Sequence, residues 1–468
     1  MVSAAGGVPA AGIAATDRAA LTARYLDEVR RHGARADELR GTLPESELLN
    51  AFFFGRYLSR PLFIGHAERD RLQADMENLR TALISLPDLL HGGDLAAFAR
   101  AAGAAEVQVS AFLRSRSATV TRQTRGDLYP TESGFSLMEF NMGSALGGME
   151  IADICRAMLA HPVLAQFAEA HHLSYVDTMR EQVNDMFTEC GLAPDSFPVV
   201  AVTDWPSSYA NKLGPYMHLL AQRWRELGLD AHACHVGELT ARNGRVWLRG
   251  RPVDIVARMF LIEYLLESPD AAALMDPVLD AEARGEVKTF TPFDSELFGS
   301  KGALAMVSDV RNRHLFTAAE QASLEAILPW TRMVRPGPVA LADGRTVDLL
   351  DYAADHADDL VLKPTMRYGG QDVVAGWRTS PGAWREYLAR AAGGPYVIQR
   401  RVRPVPELFP DENGDLIPWV TLWGPFTVVS GHGGIFARGV PVDSDTPVVN
   451  VFSGASVGCC LSAEPVSG

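Results

Sequence analysis

The chain has 468 residues, 47% hydrophobic and 21% charged, with 57 acidic against 43 basic residues and a formal net charge of -14. That length exceeds one typical domain, and the composition is that of a core-forming globular protein. The acidic balance excludes a basic nucleic-acid-binding face as the organising surface. Cys155, Cys190, Cys234, Cys459 and Cys460 show no metal-ligand spacing and read as reduced, buried thiols of a cytoplasmic protein. No apolar run reaches membrane-spanning length.

Residues 1–20 are rich in alanine and glycine without a basic segment and an apolar core, and read as a loose tail, not a signal peptide. Helical spacing over 17–32, 45–58, 66–86 and 94–102 predicts a mostly α region with no visible chemistry. Residues 117–141 read as a β-hairpin, with one arm over 117–129, a turn over 130–134 and a second arm over 135–141 that alternates apolar and polar. Arg125 and Asp127 then share one face, as do Glu139 and Asn141, and pairing of the arms would bring all four together. Carboxylate and amide oxygens suit a hard cation such as Mg2+, and Arg125 offers a fork to a phosphate oxygen. The same pattern also describes a solvated hairpin face. A glycine-bearing loop over 142–148, carrying Ser144, leads into a helix over 149–159. Such a loop lets the backbone approach a ligand closely, or is simply a strand-to-helix turn.

From residue 197 the pattern changes to β/α alternation, with strands over 198–205 and 230–236, a helix over 209–227, and a strand-like stretch over 245–260 that turns at Gly250. This is a small Rossmann-like unit. Asp204, Trp205 and Ser207 lie just past a strand's C-terminal end, and Arg258 also sits late in a strand, where open α/β sheets bind ligands. They are substrate-site candidates or else loop and cap residues. A helical and irregular passage follows over 260–328, with Lys301 just before a helix, and 336–344 reads as a linker. Residues 359–374 place Lys363 on an apolar strand, turn through Gly369 and Gly370, and return as a second strand. A glycine loop of this kind can fold over phosphates beside a lysine, although a two-glycine hairpin is common. A buried strand over 395–402 precedes C-terminal strands over 426–429, 433–438 and 448–454, and Arg438 is a second phosphate-binding candidate. His171, His172 and the Cys459-Cys460 pair read as surface or packing residues.

Together these pieces resemble the ATP-grasp superfamily, and their order resembles its circularly permuted branch, typified by glutathionylspermidine synthetase. Arg-Gly-Asp at 125–127 and Glu-Phe-Asn at 139–141 look like that branch's Arg-x-Asp and Glu-x-Asn pair. Gly-Ser-Lys at 299–301, the Lys363-Pro364 strand with its glycine loop, and the strand over 396–402 look like its phosphate-binding and adenine-side elements. The resemblance spans roughly residues 100 to 460. It implies an α/β (α+β) fold divided into a tail and helical region over 1–100, a metal-binding part over 101–195, a Rossmann-like substrate-side unit over 196–290, and a lysine, glycine-loop and adenine-side part over 291–468. The permutation is implied because the metal carboxylates precede both lysines.

The same resemblance implies Asp127, Glu139 and Asn141 as ligands of Mg2+, with Arg125 and Arg438 as catalytic cations. Lys301 and Lys363 would hold the phosphates of ATP, Tyr368, Gly369, Gly370 and Gln371 would cover them, and Gln399, Arg400 and Val402 would border adenine. Arg400 departs from the family, where an acidic residue often follows the glutamine. Ser144, Asp204, Trp205, Ser207 and Arg258 complete the set on the substrate side. The implied activity is ATP-dependent joining of a carboxylate to an amine through an acyl phosphate, forming a peptide or γ-glutamyl amide between amino acids or small peptides. Such an enzyme is cytoplasmic, needs neither nucleic acid nor membrane, and can form a homodimer. The amidase domain of glutathionylspermidine synthetase has no counterpart here. A nucleotide- or partner-binding protein without catalysis and an ATP-dependent small-molecule kinase are the alternatives.

Overall fold

The computed structural model describes residues 17–41, 43–115, 120–144, 146–445 and 448–464. The tail before Asp17, the start of the expected first hairpin arm (117–119) and Ala145 of the glycine loop lie outside the described residues.

The N-terminal region is mostly helical, as its periodicity predicts, with helices Asp17–His32, Ala36–Arg40, Glu47–Phe53, His66–His91, Leu95–Ala101 and Glu106–Arg114. The helix expected over 45–58 is shorter because Phe54 and Gly55 adopt positive φ (57° and 71°), which closes it with a left-handed cap. The helix from His66 runs further than expected, through Pro87 to His91.

The first of three sheets that shape the molecule is antiparallel and unites distant parts of the chain. Its order is Ser456–Gly458, Gly431–Pro441, Leu416–Val428, Thr124–Thr131, Gly134–Met142, with Glu407–Pro410 also on Leu416–Val428. The expected hairpin is therefore present, and its first strand pairs with a strand about three hundred residues later, Arg125 standing opposite Phe426. Leu137 and Phe140 are fully buried. Each such side chain contributes about 1.5–3 kcal/mol on leaving water. Phe135 packs its ring 5.2 Å from that of Trp423.

The second sheet is antiparallel in the order Thr331–Met333, Tyr396–Arg400, Leu360–Pro364, Val374–Ala375. The third is parallel in the order Lys288–Phe290, Ile255–Arg258, Val199–Asp204, Asp230–His235, and the helix Gly214–Glu226 crosses between the last two.

Four local expectations change. Residues 209–227 begin as a π-helical turn, Tyr209–Leu213, before the α-helix. The stretch over 245–260 splits. Arg245–Leu248 and Arg251–Pro252 join Leu239–Arg242 in a small antiparallel sheet, and only Ile255–Arg258 enters the parallel one. The expected linker over 336–344 is a hairpin of Pro338–Ala340 with Thr346–Asp348. Residues 448–454 form a short 3-10 turn in place of a strand, because the Asn450 side chain accepts from Phe452 N and Gly454 takes φ 101°.

Candidate functional site

A cleft of 780 Å³ is lined by all three sheets: Arg125, Asp127, Glu139, Asn141 and Arg438 from the first, Lys363 and Arg400 from the second, and Asp204 from the C-terminal end of the parallel one. In the hairpin Arg125 stands opposite Asn141 and Asp127 opposite Glu139, so the four polar side chains share one face. A β-bulge sets which way that face points. After the Asp127–Glu139 pair the register shifts to Leu128–Leu137, leaving Met138 as the extra residue. Apolar positions 135, 137, 140 and 142 are buried, so the inward period of two is broken between 137 and 140. That break swings Glu139 and Asn141 to the cleft side, and the Met138 carbonyl accepts from Lys363 Nζ at 3.0 Å.

Cations converge on the two carboxylates. Arg125 donates to Asp127 through Nε (3.0 Å) and Nη2 (3.3 Å), and Arg438 Nη2 donates to the same carboxylate. Burial works to raise the Asp127 carboxyl, but the two guanidiniums hold it below the usual carboxylate range. Arg125 Nη1 also donates to Gly147 O at 2.9 Å, which ties the glycine loop to the sheet. Gly424 makes room for this arginine: a methyl group there would lie 2.9 Å from Phe436 O and 3.1 Å from Arg125 Cδ. Lys301 opens the helix Lys301–Ser308, whose N-cap Ser300 accepts from Ala303 N. Its Nζ donates to Glu139 at 2.9 Å and to Arg367 O at 2.7 Å. Lys363 Nζ also donates to Gln399 Oε1 at 2.6 Å, and burial, with Lys301 nearby, brings its pKa down to about 8.

Asp127, Glu139 and Asn141 thus offer three oxygen donors on one face. Among the described residues no three His, Cys, Asp or Glu side chains gather as a metal cage. The donor set fits Mg2+ arriving with an anionic ligand whose oxygens and water complete the shell.

The other candidates are spread more widely. Ser144, Tyr368, Gly369, Gly370, Gln371 and Val402 line the cleft, and both glycines take positive φ (67° and 77°). Gln399 is buried behind Lys363. Ser144 Oγ lies 2.8 Å from both Phe260 O and Glu296 Oε1, either of which can accept its single proton. Asp204 is buried, its Oδ2 has no hydrogen-bond partner among the described residues, and burial raises its pKa to about 6. Trp205 and Ser207 do not line the cleft; both donate to Glu267, at 2.8 and 2.6 Å. Arg258 is fully buried outside the cleft, donating to Thr291 O (2.8 Å), Phe260 O (2.6 Å), Pro292 O (3.1 Å) and the carboxylate of Glu296.

Several cleft residues escape sequence reasoning. Glu263, on the 3-10 turn Ile262–Leu266, has its pKa pushed up to about 7, first by burial and then by Glu296. Phe52, Tyr216, Arg367 and Phe436 line the cleft too. The bulge does leave a sequence signal, the 135, 137, 140, 142 spacing. Phe52 leaves none, since its helix looks like any amphipathic helix.

No family model and no curated protein matches the chain. Among solved structures, it is similar to a glutathione synthetase-like effector from Globodera pallida in apo form, with a TM-score of 0.51 and 11% identity over 96% of this chain and 98% of that one. A putative gamma-glutamylcysteine synthetase from Methylobacillus flagellatus is 10% identical over 80% of this chain and 84% of that one, with a TM-score of 0.43. The first likeness shows a shared mixed α/β fold. The second is too distant to carry any conclusion.

Proposed function

We propose that the protein is an ATP-dependent carboxylate–amine ligase of the circularly permuted ATP-grasp type, joining amino acids or short peptides. One observation carries this reading: Arg125, Asp127, Glu139 and Asn141 share a strand face that meets Lys301 and Lys363 in the same cleft. Facing oxygen ligands and cations from separate elements suit the transfer of a phosphoryl group, where catalysis is mostly positioning and charge neutralisation. The fold shared with a glutathione synthetase-like chain is in keeping with it.

In the proposed reaction the substrate carboxylate takes the terminal phosphoryl group of ATP, and the amine then displaces phosphate to form the amide. Asp127, Glu139 and Asn141 would hold Mg2+, which offsets charge on the phosphates. Arg125 and Arg438 neutralise the transferring group. Lys301 and Lys363 bind the phosphates once their present partners yield. The loop Tyr368–Gln371, turning through Gly369 and Gly370, closes over them and excludes water, and Gln399, Arg400 and Val402 form the adenine side. No side-chain nucleophile is required.

The test is ADP release with Mg-ATP against amino acids singly and in pairs, with mass spectrometry of products, beside Glu139→Ala and Lys363→Ala. The expected result is ADP formed only with particular pairs, and a product one water lighter than the pair, absent in both variants. ADP release that needs no amine would replace the ligase with a kinase.

A further inference from the structure

Beyond Arg125 the cleft wall turns apolar, formed by Phe52, Leu146, Leu213, Tyr216, Met217 and Phe436. Phe52 comes from the N-terminal helix Glu47–Phe53 and is half-buried. It packs both against the cluster that holds Leu146 and Phe436 and against the one that holds Tyr216 and Met217. Its ring centroid lies 4.8 Å from that of Tyr216. Tyr216 presents carbon to the cleft, because its hydroxyl is donated to the buried Glu150 side chain.

This wall adjoins the reacting end. A methyl group built on Gly147 would meet Phe52 Cε1 at 3.5 Å and Arg125 Nη1 at 3.7 Å. Among the acidic cleft residues, Glu263 has Glu296, Arg367, Lys301 and Glu139 as its charged neighbours and so belongs to the lysine end, and Asp204 stands at the C-terminal end of the parallel sheet, where it accepts from Trp205 N.

We infer that the wall is the side-chain subsite of the carboxylate substrate and takes a large apolar side chain, aliphatic or aromatic. The occupant is the carboxylate substrate because Arg125, against which the wall ends, is the cation proposed to face the phosphorylated carboxyl. This rests on the ligase reading for its reaction but not for its binding. Against these six side chains a charged group would lose its water with no polar partner in exchange. An apolar one gains with each methylene buried, and a pocket of this kind separates substrates by roughly 10- to 200-fold per methylene.

The experiment measures calorimetric binding of leucine, phenylalanine, glutamate and lysine, and ADP formation with each of them paired with the amino acids in turn as the amine, in wild type, Phe52→Ser, Leu213→Ser and Phe52→Leu, each checked for a native melting transition. Leucine and phenylalanine should bind and turn over at least about tenfold better than glutamate or lysine. The serine variants should lose about tenfold of that preference while Phe52→Leu keeps it. Preference for glutamate or lysine, or an unchanged preference in both serine variants, overturns the subsite and leaves the ligase standing. If no pair supports ADP release the ligase reading fails, and binding alone then decides: tighter leucine than glutamate supports the subsite, and equal or weaker leucine overturns it.

Discussion

Arg258 and Arg438 are both buried arginines paired with a carboxylate, yet they are set in opposite ways. Arg258, at the end of a parallel-sheet strand, has an acceptor for each of its three nitrogens in Thr291, Phe260, Pro292 and Glu296. Arg438, on the large sheet, shares Asp127 with Arg125, and its Nε is buried with no hydrogen-bond partner among the described residues. A saturated guanidinium fixes the loops around it. One left short of acceptors at the edge of a cleft is suited to an incoming anion. Strand position alone does not distinguish them, since both sit late in a strand; what differs is the supply of carbonyl acceptors from neighbouring loops.

The widest separation is expected from Arg258→Leu, which leaves the Glu296 charge without its buried cation and the Thr291 and Pro292 carbonyls without this donor. It should lower stability by about 3–5 kcal/mol in denaturant unfolding. A smaller loss would mean that the pair is not the fixed scaffold described. Lys363→Met should show the reverse, cutting the rate of ADP formation by roughly 10²- to 10³-fold while unfolding moves by no more than about 1 kcal/mol. Unimpaired turnover would remove Lys363 from the site. Between the two lies Gly424→Val, where the added carbon meets Phe436 O and Arg125 Cδ. About 1–3 kcal/mol of stability should go, with a fall in kcat as Arg125 is displaced.

The smallest effect is a pH dependence. Lys363 has a pKa of about 8, below its ordinary value, because burial disfavours the charged form. Above pH 8 the folded protein releases this proton while the unfolded chain keeps it up to about 10.4. The group's contribution to stability therefore rises with pH across that window. Phosphate binding needs the charged lysine, so affinity for Mg-ATP should fall by up to about tenfold per pH unit above 8. A flat affinity between pH 7 and 9 would put the nucleotide away from Lys363.

The hairpin was legible because alternation along two short strands fixes which residues share a face, and Arg125, Asp127, Glu139 and Asn141 needed only local pairing to meet. Arg438 was legible as a candidate, but its place beside them was not. Arg438 and Gly424 reach Arg125 and Asp127 through pairing of strands some three hundred residues apart, which no local period encodes. Arg258 read as a ligand residue because its acceptors, Thr291, Pro292 and Glu296, come from a later segment. Trp205 and Ser207 likewise turn to Glu267, sixty residues on. Helices were legible where capping agreed with period, as at Asp94, which accepts from Ala97 N, and failed where φ decided the end, as at Phe54.

The most direct test is calorimetric titration of wild type, Lys363→Met and Glu139→Gln with ATP, with and without Mg2+. One equivalent should bind wild type in the presence of Mg2+. Affinity should drop by roughly 10- to 100-fold in Lys363→Met, and the gain from Mg2+ should disappear in Glu139→Gln. No binding by wild type, or equal affinity in all three proteins, would contradict the assignment of this cleft to a magnesium nucleotide.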